Sequence, residues 1–325
     1  MRTLSRSAVA LSTMALASAG LAFGAGSAGA ALTTLCDGEA SDVTVPGDLR
    51  VAKDTSCNLT GVTVEGEIRV QSGGDLLVTD STIEGRVVVQ SDGYFDATGT
   101  AIGGNVISQG GYGVYLDESA VAGNYLGREG EDVDPFLYSY DSAIDGRVAV
   151  EQGLVHLETV TVGGHLTSED SLYTDIIDST LSRSLTVTGA TEGAALCGSE
   201  VDGDAEFTGN GGVQIGTGGS LIDCGDANYL GGDLTVADNT HGTDVSGAII
   251  RGDLAGEGNS PAPTGADNRV RGESTGQFAE LAPAARTMSA QSSAEDHKQD
   301  LEDKRAERRG AAEDAAEESG PANLR

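Results

Sequence analysis

Three groups of side chains in this 325-residue chain have the types and spacing to do chemistry. The first is aromatic. The chain holds five Phe and eight Tyr, and eight of these rings fall between Tyr94 and Tyr140. Tyr94, Tyr112, Tyr115, Tyr125, Tyr138 and Tyr140 recur at intervals that a repeating fold could bring into line, and exposed rings in line can stack on sugar rings. The second group is acidic. Glu129, Glu131, Asp132 and Asp134 sit within six residues around Gly130. Hard oxygen ligands at that density could hold Ca²⁺ weakly, and a solvated loop is the competing reading. Ca²⁺ is the one cofactor the sequence admits. The third group is Cys36, Cys57, Cys197 and Cys224, an even number with no C-x-x-C spacing among them.

Catalytic constellations are sparse. His156 and His165 stand in no H-E-x-x-H pattern, G-x-S-x-G is absent, and His241-Gly242 reads as a turn. The chemistry therefore favours binding or structure over catalysis.

The elements that would position these groups follow from an internal repeat. A unit of aliphatic, any, Gly, any, aliphatic appears as Val45-Pro46-Gly47-Asp48-Leu49, Val64-Glu65-Gly66-Glu67-Ile68 and Ile83-Glu84-Gly85-Arg86-Val87. It returns at Gly104, Gly123, Gly146, Gly164, Arg183, Gly203, Gly232, Gly252 and Gly272, mostly 18 to 20 residues apart. The residue two before each of these positions is aliphatic in all twelve units. A further apolar pair lies ten and twelve residues beyond, as at Leu76 and Val78 or Phe95 and Ala97. Period-two alternation within a unit predicts short strands with one face inward. The prediction is an all-β, right-handed parallel β-helix (β-solenoid) of about 12 coils, over residues 43–280. Stacked at ~4.8 Å, the coils would make a rod roughly 55 Å long. In that register Cys57 falls at an inward position with Cys36 about one coil below, and Cys197 and Cys224 flank an interruption of the repeat. The predicted disulfides are Cys36–Cys57 and Cys197–Cys224. Insertions at 127–135 and 211–228 should leave as loops.

The repeat resembles bacterial right-handed β-helices of the pectin-lyase-like kind and, more loosely, the bactofilin solenoids. The resemblance rests on the period and on the aliphatic-x-Gly-x-aliphatic unit, and it implies a shape rather than an activity. Polygalacturonase-type members need clustered aspartates, a His-Gly and an Arg-x-Lys element, of which only the His-Gly is present, at His241-Gly242. This sequence has no Asp-Asp and no Arg-x-Lys.

Ends and charge complete the reading. Residues 1–30 read as a signal peptide, with Arg2 and Arg6, an apolar stretch, and Ala28-Gly29-Ala30 before cleavage. Residues 31–42 would be an N-terminal cap. Residues 281–325 read as a charged, Ala-rich linker and tail, helical or disordered, with Leu301 nearly its only large apolar side chain. The whole chain carries 19 basic and 51 acidic residues. Such a field disfavours nucleic acid and anionic membranes. No apolar run beyond the signal reaches the ~20 residues of a bilayer span. The expected protein is secreted, without membrane insertion: a non-catalytic structural or interaction rod of the cell surface or extracellular matrix. The alternative is a carbohydrate-binding or polysaccharide-active β-helix. Its partner would be a cell-surface polysaccharide or protein, and its oligomeric state is open.

Overall fold

The computed structural model describes residues 33–130, 134–217, 221–283 and 293–324. The segment read as a signal peptide, Glu131, Asp132 and most of the linker therefore lie outside the described residues.

Among the described residues three parallel sheets run along the repeat, and nearly every turn adds one strand to each sheet. Sheet I has twelve strands, beginning Thr33–Cys36, Asp48–Val51 and Ile68–Val70. Sheet II has eleven, beginning Gly38–Ser41, Ser56–Thr60 and Asp75–Thr79. Sheet III has twelve two-residue strands, from Thr44–Val45 to Arg269–Val270. The chain is an all-β solenoid of about twelve turns.

Register is held by the aliphatic position of the repeat. Val64 pairs with Ile83, Ile83 with Ile102, and Ile102 with Val121. The eleven members from Val45 to Ile250 are buried, and Val270 is half-buried at the last turn. Leu49, Ile68, Val87, Val106 and Tyr125 form a second inward column on sheet I, and Leu76, Val78, Phe95 and Ala97 face the same interior from sheet II. Each residue packs between its counterparts one turn above and one below, so stacking supplies the core that a single turn lacks.

The corners carry polar ladders that the hydrophobic pattern does not reveal. Between sheets II and III, Ser81, Thr100, Ser119 and Ser142 each accept a backbone N–H from one turn below, from Val62, Ser81, Thr100 and Ser119 respectively. Ser179, Ser199 and Asn228 continue the ladder. A second ladder between sheets I and II runs through Asn210, Asn239 and Asn259. Buried backbone donors left by the turns are thereby satisfied. Among the described residues, ten of the eleven non-glycine residues with positive φ are Asp or Glu, such as Asp42, Asp80 and Asp141. Asp tolerates the left-handed region better than most residues, so part of the acidity serves the backbone of the turns.

Both disulfides form as the repeat predicts. Cys36–Cys57 and Cys197–Cys224 each have Cα atoms 5.6 Å apart. The second pins the insertion after Gly216 onto the outer side of sheet II, where Cys197, Cys224, Ile222 and Ala195 make a small separate cluster. Replacing Cys197 and Cys224 together by serine is expected to cost about 3 kcal/mol in the chain-entropy account. The loss should appear as a lower denaturant midpoint, and an unchanged midpoint would contradict it.

Candidate functional site: an aromatic strip beneath the C-terminal helix

The outer side of sheet II carries most of the chemistry named above. Strand alternation sends Phe95 and Ala97 inward and therefore Tyr94 and Asp96 outward. Parallel pairing then stacks the outward positions. One column runs Leu77, Asp96, Tyr115, Tyr138, His156. Its neighbour runs Asp75, Tyr94, Gly113, Phe136, Leu154, Tyr173. Gly113 interrupts the second column because a Cβ there would run into the Phe136 ring. Phe136 stacks on Tyr138 with ring centres 4.1 Å apart, and Tyr94 meets Tyr112 edge-on at 6.0 Å.

This strip is not open. Residues Ser293–Ser319 form an α-helix, α1, that lies along it against the stacking direction. The composition explains the helix, since Ala, Glu, Lys, Arg and Gln all have high helix propensity. Pairs four apart, Gln299–Asp303 and Arg309–Glu313, add local support. It stops at Gly320, in a left-handed conformation, ahead of Pro321.

Its docking stripe is cationic rather than apolar. Leu301, Arg305, Arg308, Ala312 and Ala316 recur at three or four residues, one face of a helix. Leu301 and Ala312 pack into the aromatic cluster. Asp96 is fully buried and accepts from Tyr94 Oη (2.6 Å), Arg305 Nε (3.2 Å) and an Arg309 guanidinium nitrogen (2.7 Å). Arg308 donates to Asp75 at 2.8 Å and to the Asp92 carbonyl at 3.0 Å. The Arg305 guanidinium lies 3.5 Å from the centre of the Tyr115 ring, and Lys298 sits over Tyr140 at 5.8 Å. Burial pushes the Tyr115 hydroxyl up to about 12.

The tail beyond the helix closes one end of the rod. Glu39 N–H donates to the Gly320 carbonyl, and Ala322 N–H donates to Glu39. Pro321 thus pairs beside Glu39 as an added residue of sheet II, and Leu324 is buried against the first turn. Gly38 has φ +102° and lies directly beneath the Gly320 carbonyl, where a side chain would collide. Pro321 offers no N–H to a further strand, which blunts this edge. A cleft of 580 Å³ opens beside the tail, and its described lining includes one carboxylate, Glu39, with Asn58, Thr60 and Asn323.

The sequence-derived candidates are distributed as follows. Tyr94, Tyr112, Tyr115, Tyr138 and Tyr140 are brought together, but beneath α1; Tyr112 and Tyr140 stay half-buried and the other three are buried. Tyr125 does not join them. It occupies the inward repeat position of sheet I and is buried in the rod interior, where neither solvent nor a ligand reaches it. In the acidic insertion, Glu129 and Asp134 are exposed, while Glu131 and Asp132 lie outside the described residues. Among the described residues, no three His, Cys, Asp or Glu side chains gather as a metal site. Sequence reasoning missed Asp96, Asp75, Glu158 and the arginines of α1. The available signal was the three-and-four spacing of Leu301, Arg305, Arg308, Ala312 and Ala316, sought only among apolar residues.

Glu158 makes the contact acid-sensitive. Hydrogen bonding to His156 (3.3 Å) and then to Lys298 (2.8 Å) holds its carboxyl down to about 2, against the opposing effect of burial. A depressed carboxyl contributes stability above its ordinary value near 4.5 and loses it as pH falls toward 2. Asp75 acts in the opposite sense, because burial raises its carboxyl, so Glu158 sets the window. Acidification from pH 4.5 to 2 is expected to loosen the N-terminal half of α1, and near-UV dichroism of the tyrosines should fall across that range. A flat signal would contradict this.

No helix among the described residues is long and apolar enough to cross a membrane. Comparison with protein-family models, with curated proteins and with solved structures returns no match.

Proposed function

We propose that this chain is a secreted, non-catalytic structural or interaction rod of the cell surface or extracellular matrix. The observation that carries the reading is that the face richest in aromatic and ionisable groups is closed by the chain's own helix. Asp96 and Asp75 are engaged by Arg305, Arg309 and Arg308, so no free carboxylate of that strip faces a substrate groove. The two disulfides stiffen the first turn and the later insertion, as suits a chain working in an oxidising setting. The acidic surface keeps such a rod soluble and steers it toward cations and basic partners.

Incubating the purified protein with a panel of soluble polysaccharides tests the reading. Neither new reducing ends nor unsaturated products should form, and appearance of either would overturn it. The alternative, carbohydrate binding, draws on Tyr112 and Tyr140, which remain half-buried at the margin of α1. Affinity for one polysaccharide that falls on substituting these two tyrosines by alanine would favour it.

A further inference from the structure

We propose that α1 is an exchangeable strap, and that the aromatic and acidic face of sheet II receives the strap of a second copy of this chain. The inference rests on the structural reading above and gives it a partner.

Three observations carry it. First, the rod does not need the helix for its interior. The core of the solenoid and the cluster beneath α1 are separate: Leu77, Tyr94, Tyr115, Tyr138 and Tyr173 belong to the second, while the repeat columns belong to the first. In the tail beyond the helix, Leu324 is buried in the solenoid core and Ala322 packs half-buried against it, while no described residue of α1 belongs to that core. The turns can therefore stay stacked while the strap is away.

Second, the vacated face demands a cover of one particular chemistry. Losing α1 would bare buried tyrosines and phenylalanine beside Asp75, Asp92 and Asp96, a surface that neither water nor an acidic partner satisfies. A helix that presents guanidinium groups over Tyr115 and Tyr112 and onto Asp96 and Asp75 satisfies it. A second copy brings that helix with identical side chains.

Third, the tether permits exchange. Ala282 pairs with Thr264, which pairs with Asp244 in the last strand of sheet II. Lys298 meets Glu158 six turns earlier along that sheet. At ~4.8 Å per turn, and allowing ~1.5 Å per residue for the first helical turn, the start of α1 lies about 22 Å along the axis from Ala282. The ten residues 283–292 between Ala282 and Ser293 reach at most about 35 Å. The strap closes on its own rod with a modest surplus of chain, and it is long enough to lie on a rod packed alongside. Contacts made within one copy or between two are the same, so the local concentration decides between them. An effective concentration on the order of millimolar favours self-closure in dilute solution. A crowded surface layer reaches the range where exchange competes. A two-fold pair in which each strap covers the other rod leaves no face open.

A charge-exchange experiment on the full chain tests this at about 50 micromolar, well below that crossover. One variant carries Asp96→Arg, so its face rejects the native strap. The other carries Arg305→Asp and Arg309→Asp, so its strap is rejected by the native face. Each alone is expected to be a monomer whose strap trypsin cuts at least tenfold faster than in the unaltered protein. Mixed, the native strap of the first meets the native face of the second. The expected result is a one-to-one complex of doubled mass, with trypsin resistance restored to the strap of the Asp96→Arg chain. A mixture that stays monomeric, with both straps cut as fast as before, would overturn the proposal. So would a strap that stays protected in either variant alone, since Asp96 would then not be what holds it. The polysaccharide assay is unaffected by either outcome, so failure here is distinct from failure of the structural reading.

Discussion

Replacing Asp96 by alanine is expected to release α1 from the rod while the rod itself stays folded. The carboxylate is fully buried and takes three hydrogen bonds, two of them from arginines that are themselves about three-quarters covered. Its removal leaves Arg305 desolvated against Tyr115 without its salt-bridge partner, and leaves Arg309 with only the Glu313 carboxylate of its own helix, 2.8 Å away. Breaking a buried pair from one side costs about 3–5 kcal/mol, and the apolar packing of the helix offers little to offset that loss. Among the described residues, Leu301, Ala312 and Ala316 are the buried apolar side chains of the helix, and two of the three are alanines. Screening by salt does not substitute for the mutation, because a buried pair is screened much less than a surface one. Trypsin reports the outcome directly, since Lys298, Lys304, Arg305, Arg308 and Arg309 all lie on α1. The variant should lose these peptides rapidly while residues 33–283 resist and keep their denaturant midpoint. A strap as resistant as in the unaltered chain would show that packing, not Asp96, holds it.

The larger effect on the rod is expected from Ile102→Asp. Ile102 is buried between Ile83 and Val121 on sheet III, in the column that runs the length of the solenoid. A carboxylate there has aliphatic neighbours above and below, and an unpaired buried charge costs several kcal/mol. Two turn-to-turn interfaces share each member of the column, so the damage reaches both. Ala101 is the adjacent residue on the same strand and is exposed. Ala101→Asp should shift stability by no more than about 0.5 kcal/mol. Denaturant melts of the pair give the comparison. Equal midpoints would mean that the inward and outward faces had been exchanged.

The rod was legible in the sequence because its constraint is local and repeated. Every turn needs an aliphatic side chain at one position, so Val45, Val64, Ile83 and Ile102 advertise the period without any knowledge of the fold. The same logic placed both disulfides. It also held the information that Tyr125 is internal, since Tyr125 stands two after Gly123, where Val87 and Val106 stand two after their own repeat glycines. Reading Tyr125 by residue type rather than by repeat position put it in the wrong group. The corner ladders were hidden for a different reason. Ser81, Ser119 and Asn239 look like ordinary turn residues until a buried N–H one turn below is seen to need them.

The strap was not legible, for physical reasons. Its partners are far apart in the chain, 140 residues for Lys298–Glu158 and 213 for Arg309–Asp96, and no repeat relates them. A docking face is ordinarily sought as an apolar stripe, whereas this one consists of arginines and alanines around Leu301. Arginine suits the task because its planar guanidinium can lie on an aromatic face while donating to a carboxylate, as Arg305 does with Tyr115 and Asp96. The aromatic residues were found by composition, but composition carried no information about what covers them.

The central claim is that α1 lies on the outer face of sheet II, and zero-length carbodiimide cross-linking tests it most directly. Lys298 Nζ and the Glu158 carboxylate are 2.8 Å apart, within reach of a direct amide bond. Peptide mapping of the cross-linked protein is expected to join Lys298 to Glu158, within one chain in the monomer and between chains in an exchanged pair. Recovery of Lys298 joined only to acids of its own helix, such as Glu302, with Glu158 unmodified, would contradict the account.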